Sequence, residues 1–147
     1  MGPEYAGTAG RLILGGYFLV AGIANLVTPG SIRDHIERMR GFGTPAPALS
    51  FWCGIGLQFL GAALVLSGVR ADLGAVCLIV FTALATAIFH RFWQRTDPMQ
   101  QRMSRLFFMS NAAIIGGLLL LASGAARAQD FPVPVKISCP MPSSTLR

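Results

Sequence analysis

Residues 48–90 read ALSFWCGIGLQFLGAALVLSGV, then RAD, then LGAVCLIVFTALATAIFH. Two apolar runs, Ala48–Val69 and Leu73–His90, flank a break that holds Arg70 and Asp72, and neither run contains Asp, Glu, Lys or Arg. A bilayer core about 30 Å thick takes ~20 helical residues to cross. In lipid nothing but the segment itself can satisfy its backbone, so runs of this kind must be helical. The short break between them predicts an antiparallel helical hairpin. Outward from the hairpin the pattern repeats, with apolar stretches at Leu12–Pro29 and Leu106–Ala126. Two of the four stretches, at 18 residues, are slightly short of a full crossing, which snorkelling of flanking Arg or local thinning accommodates.

The chain thus reads as all-α, an integral membrane four-helix bundle. Its composition agrees: of 147 residues, 53% are hydrophobic and 12% charged, against about 25% charged in soluble domains. There is room for one domain, residues 1–128, followed by a tail, 129–147. The net charge of +6 does not point to nucleic acid, because the basic residues stand between and beside the spans. That is the placement of headgroup anchors and topology signals.

The basic residues also set an orientation. Arg11, Arg70, Arg127, Lys136 and Arg147 lie on one side. Arg33, Arg38, Arg40, Arg91, Arg95, Arg102 and Arg105 lie on the other. The second group is larger and closer to the spans, so connections 30–47 and 91–105 are expected in the cytoplasm. Both termini are then expected outside, in the periplasm if the membrane is a bacterial inner membrane. Arg102, Arg105, the apolar run and Ala126-Arg127-Ala128 share the polarity of a signal peptide. We read them as an uncleaved span. The opening residues lack a cluster of positive charge, so the first span is expected to stay.

Between the first two spans, Ser31–Arg40 predicts a short amphipathic helix with Ser31 as its cap, Asp34 in its first turn and Arg38 and Arg40 near its end. Ile32, Ile36 and Met39 share a face, which suits a helix lying in the membrane interface. The connection Gln94–Ser104 is polar and holds Pro98. After Ala128 come Pro132, Pro134, Pro140 and Pro142, which predict an extended tail. Phe131, Pro132, Pro134, Cys139 and Pro140 are its expected partner-binding residues.

Small and polar residues recur at helical spacing inside the spans. Gly15 and Gly22 in the first, Gly54 and Gly61 in the second and Gly116-Gly117 in the fourth predict close helix packing. A bundle that turns these stripes inward gathers Asn25, Gln58, Thr86, His90 and Asn111 at a polar centre. Two readings fit that centre. The plainer is hydrogen bonding between helices, worth about 0.6 kcal/mol per contact. The sharper is a pocket for a polar headgroup, such as a quinone ring or a small solute. The absence of Asp and Glu from the spans weighs against proton-coupled transport.

Other chemistries find little footing. His35 and His90 stand on very different elements, which speaks against paired haem ligation. Cys53, Cys77 and Cys139 form no Cys-x-x-Cys, so a zinc or thioredoxin-like site is not expected. No Ser–His–acid set and no phosphate loop can be assembled.

The order of features resembles the DoxX family of small four-helix bacterial membrane proteins. Arg11-Leu12, Gly15, Phe18, Gly22 and Asn25-Leu26 match its opening. Gly43-Thr44-Pro45 matches its turn before span two. Gln58-Phe59-Leu60-Gly61, Leu64, Leu66, Gly68 and Arg70-Ala71 match its second-span signature. His90 closes span three and Gly116-Gly117 sits in span four, so the resemblance covers about residues 10–125. Two positions depart from the pattern: Asn25 stands where the family commonly has Lys, and Gln58 where it commonly has Glu. The resemblance implies a membrane subunit, in some relatives of quinone-linked sulfur oxidation and in others associated with redox defence.

The leading expectation is therefore a non-catalytic membrane subunit or anchor of a larger redox-related assembly. It would have lipid and other membrane or periplasmic subunits as its partners. A quinone-binding subunit of a membrane oxidoreductase is the alternative, with quinone as its one candidate cofactor. A small-solute or lipid transporter is the third reading.

Overall fold

The computed structural model describes residues 3–94 and 96–130, with side chains over 5–94 and 96–124. Phe131, Pro132, Pro134, Cys139 and Pro140, the expected tail contacts, lie outside the described residues. The helices are α1 (Pro3–Val27), α2 (Ser31–Gly41), α3 (Pro47–Ser67), α4 (Ala71–Phe89) and α5 (Pro98–Asp130), with a 3₁₀ turn at Phe92–Gln94. Four of them, α1, α3, α4 and α5, are long and apolar enough to cross a membrane.

Their boundaries follow from local chemistry. α1 ends at Val27 rather than Pro29, because a residue before proline is driven out of the helical region. Gly30, at φ 80°, then starts α2, and its carbonyl accepts from Asp34 N at 2.9 Å. Ser31 was expected to cap α2 but is its first helical residue, and no side chain caps this end. Asp34 in the first turn and Arg38 and Arg40 in the last do suit the helix dipole. On the outer face Arg33 Nε donates to Glu37 Oε1 at 2.9 Å. That bond, and then the charge of Glu37, raises the Arg33 pKa above its ordinary value. Both partners are exposed, so solvent screens the pair and it adds little stability.

α3 starts at Pro47, which needs no N–H at that position. Gly68–Arg70 alone join α3 to α4, with Gly68 at φ 76° and Arg70 at φ 53°. The expected hairpin thus closes through two left-handed residues, and Arg70 is the one that bears a side chain there.

The polar connection expected over Gln94–Ser104 is largely helix, since α5 begins at Pro98. Asp97 explains the early start. Its Oδ1 and Oδ2 accept from Met99 N and Gln100 N, each at 3.3 Å, while Pro98 is suited to a first helical turn. Asp97→Ala should destabilise this end by about 1 kcal/mol and Asp97→Asn by much less. Unfolding midpoints in detergent would register the difference; equal midpoints for all three proteins would remove the cap from the account.

α3 packs between α1 and α4, and α4 between α3 and α5, whereas α1 and α5 meet at few points. One of these is Leu14 against Gly117. At the hairpin end the core is Phe18, Ala62, Val65, Ala75, Leu78 and Leu118. The backbones of α3 and α4 touch there. A Cβ on Gly61 would stand 3.0 Å from the Gly74 carbonyl oxygen, and one on Gly74 2.9 Å from the Gly61 oxygen. A second cluster, Met39, Phe51 and Ile55, closes the other end. Ile32 and Ile36 pack against it, so the apolar face of α2 is turned onto the bundle. Between the two clusters the helices stand apart.

Candidate functional site

The gap is a cavity of about 1130 Å³, with walls from all five helices. Small-molecule sites usually enclose roughly 300–1,000 Å³, mostly apolar, with a few placed polar groups. Phe18, Phe51, Ile55, Phe81 and Ile88 supply apolar wall. The α2 end is closed by His35 and Met39. Tyr17, Leu84 and Phe107, also on the wall, are 53%, 57% and 48% exposed and mark where it opens outward. No acidic residue lines it, and Arg38 is the cation at its edge.

Of the polar centre expected from the sequence, Asn25, Gln58, His90 and Asn111 line this cavity. Thr86 stands behind the wall and is bonded to it: Asn111 Nδ2 donates to Thr86 Oγ1 at 2.8 Å. Thr86 Oγ1 in turn donates to Thr82 O at 2.6 Å, and Thr82 Oγ1 to Leu78 O at 2.7 Å. The two threonines thus satisfy themselves on α4 and hold Asn111 in one orientation. The His90 ring lies tilted 5.3 Å from that of Phe107, which joins the end of α4 to α5.

Among the described residues Gln58 is the most deeply buried polar one, at 2% exposure. Its Nε2 donates to Phe18 O on α1 at 2.9 Å. Gly22 makes room for the amide, since a Cβ there would lie 3.3 Å from Nε2 and 3.1 Å from the Phe59 ring. Gln58 Oε1 is buried and has no partner. An amide oxygen in that condition costs about 1–3 kcal/mol unless something donates to it.

The glycines expected to pack helices divide into three groups. Gly15, Gly22 and Gly61 allow close approach: a Cβ on Gly15 would stand 2.7 Å from Leu66 Cγ. Gly54 and Gly117 meet neighbours at ordinary distance, 3.7 Å in each case. Gly116 has nothing within 4 Å.

Sequence reasoning placed Thr82 on the inward stripe of its span without counting it in the pocket, and missed His35 and Ser104 on the cavity wall, and Gly74 at the helix crossing. His35 had a legible signal. Ser31, His35 and Met39 stand four apart on α2, so they share the face that Met39 buries. His35 Nδ1 lies 2.7 Å from Ser31 O and 3.3 Å from Ser31 Oγ. Its ring sits 5.8 Å from Phe51 and 5.5 Å from Phe89. Among the described residues no group of three or more His, Cys, Asp or Glu is placed to hold a metal.

A bundle of apolar helices around a partly polar internal cavity defines a multi-pass membrane protein with a candidate ligand chamber. The chain belongs to the DoxX family, whose model matches residues 6–91. That match spans α1 to α4 and therefore the Asn25, Gln58 and His90 walls of the cavity, while α5 with Asn111 lies beyond it. No curated protein and no solved structure matches the chain.

Proposed function

We propose that this chain is a membrane subunit whose cavity holds the polar ring of a lipid-soluble, quinone-class ligand, and that it serves a larger redox-related assembly. The observation that carries this reading is the cavity itself: a largely apolar chamber with outward openings, with Gln58, Asn111, Asn25 and the two histidines among the polar groups on its wall. An aromatic head bearing oxygens, on an alkyl tail that remains in lipid, is complementary to such a chamber. Helix-to-helix bonding alone accounts for Asn111 and Thr86. It leaves Gln58 Oε1 without a role.

Membership of an assembly is supported by α5, which packs against α4 but leaves most side chains of its span unburied, with Met99, Met103, Leu106 and Met109 exposed. Lipid covers such a surface as readily as another subunit does. Placement in a bacterial inner membrane, with α2 and the α4–α5 connection toward the cytoplasm, rests on the Arg distribution.

The test is the quinone content of protein extracted from its native membrane in lipid nanodiscs. We expect roughly one quinone-class molecule per chain, falling about tenfold in Gln58→Leu, a loss of the size one buried hydrogen bond commands. Folded protein that retains no quinone, and binds none when it is added, would remove this reading. A stoichiometric redox subunit recovered in the same preparation would support the assembly; a lone monomer would count against it.

A further inference from the structure

Resting on the quinone-class reading, we propose that the ligand's alkyl tail lies in the seam between α1 and α5, so that the ligand enters sideways from the bilayer. Of the four seams around the bundle, three are closed by specific contacts. Between α1 and α3, Gln58 Nε2 donates to Phe18 O, and Gly22 lets the Phe59 ring approach. Between α3 and α4, Gly61 meets Gly74, and a Cβ on Gly54 would lie 3.7 Å from the Phe81 ring. Between α4 and α5, Asn111 Nδ2 donates to Thr86 Oγ1, and the His90 ring meets that of Phe107.

The fourth seam is different. α1 and α5 meet at few points. Leu14 touches Gly117 at the hairpin end, where Leu14 packs against the core that holds Leu118. Toward the other end α2 packs on α1, α3 and α4, but among the described residues it packs nowhere on α5. Both sides of this unclosed seam nevertheless border the cavity. α1 contributes Tyr17, Ala21 and Asn25, and α5 contributes Met103, Phe107 and Asn111. Tyr17, Met103 and Phe107 border the cavity while about half exposed on the outside of the bundle.

Depth decides what fills it. Arg102 and Arg105 stand at the headgroup end of α5, and Asn111 is six residues beyond Arg105, about 9 Å further in along the helix. The seam therefore opens to hydrocarbon over much of its length. Its two sides touch at Leu14 and Gly117 and part toward α2, which makes it a wedge. A partner helix is about 10 Å across and spans the whole bilayer, so it does not lie along a seam that is shut at one end. A single alkyl chain is thin and bends to follow a wedge. It would leave its polar ring among the amides and aromatic side chains of the chamber, with its tail in the leaflet on the α2 side.

The test uses the full, unaltered chain in nanodiscs and a quinone whose saturated tail carries a photoreactive diazirine close to the ring. After irradiation, labelled residues are mapped by mass spectrometry, with and without an excess of the untagged quinone. We expect label on Tyr17, Ala21, Met103 and Phe107, and loss of most of it under competition. Ile13 and Leu120, exposed on the same two helices, should keep whatever label they take from the bilayer. Displaceable label on Leu57 or Leu84 instead, at the α3–α4 side of the cavity, would overturn the seam and leave the quinone-class reading standing. Bound quinone without displaceable label at the seam has the same consequence. A phospholipid with the same diazirine on its chain separates the two sources of hydrocarbon. If it labels the seam and quinone does not displace it, the seam holds bilayer lipid and the assignment of the tail fails. If the quinone does not bind at all, the seam assignment falls together with the reading beneath it.

Discussion

Gly74→Val should be among the most damaging single substitutions in this protein, costing about 3 kcal/mol or more. A Cβ at Gly74 would stand 2.8 Å from Leu64 Cβ, 2.9 Å from Val65 Cγ2 and 2.9 Å from the carbonyl oxygen of Gly61. None of these is the free end of a flexible side chain. The two backbones would have to separate, and every contact along the hairpin would loosen with them. Glycine pairs drive helix association in membranes because lipid offers no hydrophobic force to hold helices together; close packing must do so. Gly116→Ala is the matching control, because nothing lies within 4 Å of that position. Alanine in a helix interior there should be neutral or stabilise by about 0.5–1 kcal/mol. Unfolding in mixed micelles of rising denaturing detergent, followed by helical circular dichroism, measures both. A Gly74→Val protein as stable as the unaltered one would mean that α3 and α4 do not cross at these residues.

Leu78→Ala should follow, at about 2–4 kcal/mol. Leu78 is fully buried in the cluster at the hairpin end, and its removal leaves a hole that the touching backbones cannot collapse to fill. In lipid the loss is one of packing contacts more than of shelter from water. The two sites are coupled in a readable way. A Cβ on Gly61 would lie 2.8 Å from Leu78 Cγ and 3.0 Å from the Gly74 oxygen. Trimming Leu78 relieves the first conflict and not the second. The double variant Gly61→Ala/Leu78→Ala should therefore be less destabilised than the sum of its parts, while still less stable than Leu78→Ala alone. Strict additivity in a double-mutant cycle would contradict the contact.

Both results concern the end of the bundle away from α2, and their mechanical role bears on the site. The tight α3–α4 crossing and the core beside it hold one end of the helices together. At the other end α2 wedges Met39 among Phe51, Ile55 and their neighbours. The chamber lies between these two closures. On the proposed reading, loosening the crossing should reduce ligand retention as well as stability.

The four apolar runs, the hairpin and the helix at residues 31–41 were all legible in the sequence, because membrane crossing is encoded in unbroken stretches of apolar residues. Gly15, Gly22 and Gly61 were legible as packing positions for a similar reason: small residues four or seven apart share a helix face. The start of α5 was not, since Pro98 reads as a breaker until Asp97 is seen to cap the turn around it. Gly74 was missed because one glycine near the start of α4 carries no pattern; only its partner Gly61 across the crossing gives it meaning.

By itself the sequence determined that this is a multi-pass helical protein of the DoxX pattern with a few amides, threonines and histidines among apolar residues. Periodicity assigns each of these to a face of its own helix, and it is silent on how neighbouring faces are rotated. The tertiary structure alone decided that Asn25, Gln58, His90 and Asn111 border one chamber, that His35 joins them from α2, and that Thr86 spends its hydroxyl behind the wall. Which amide atom is satisfied, and which is left over, depends on the rotation of α1 against α3. That rotation is set by glycines that let some backbones touch and by side chains that keep others apart, and both are properties of pairs of helices.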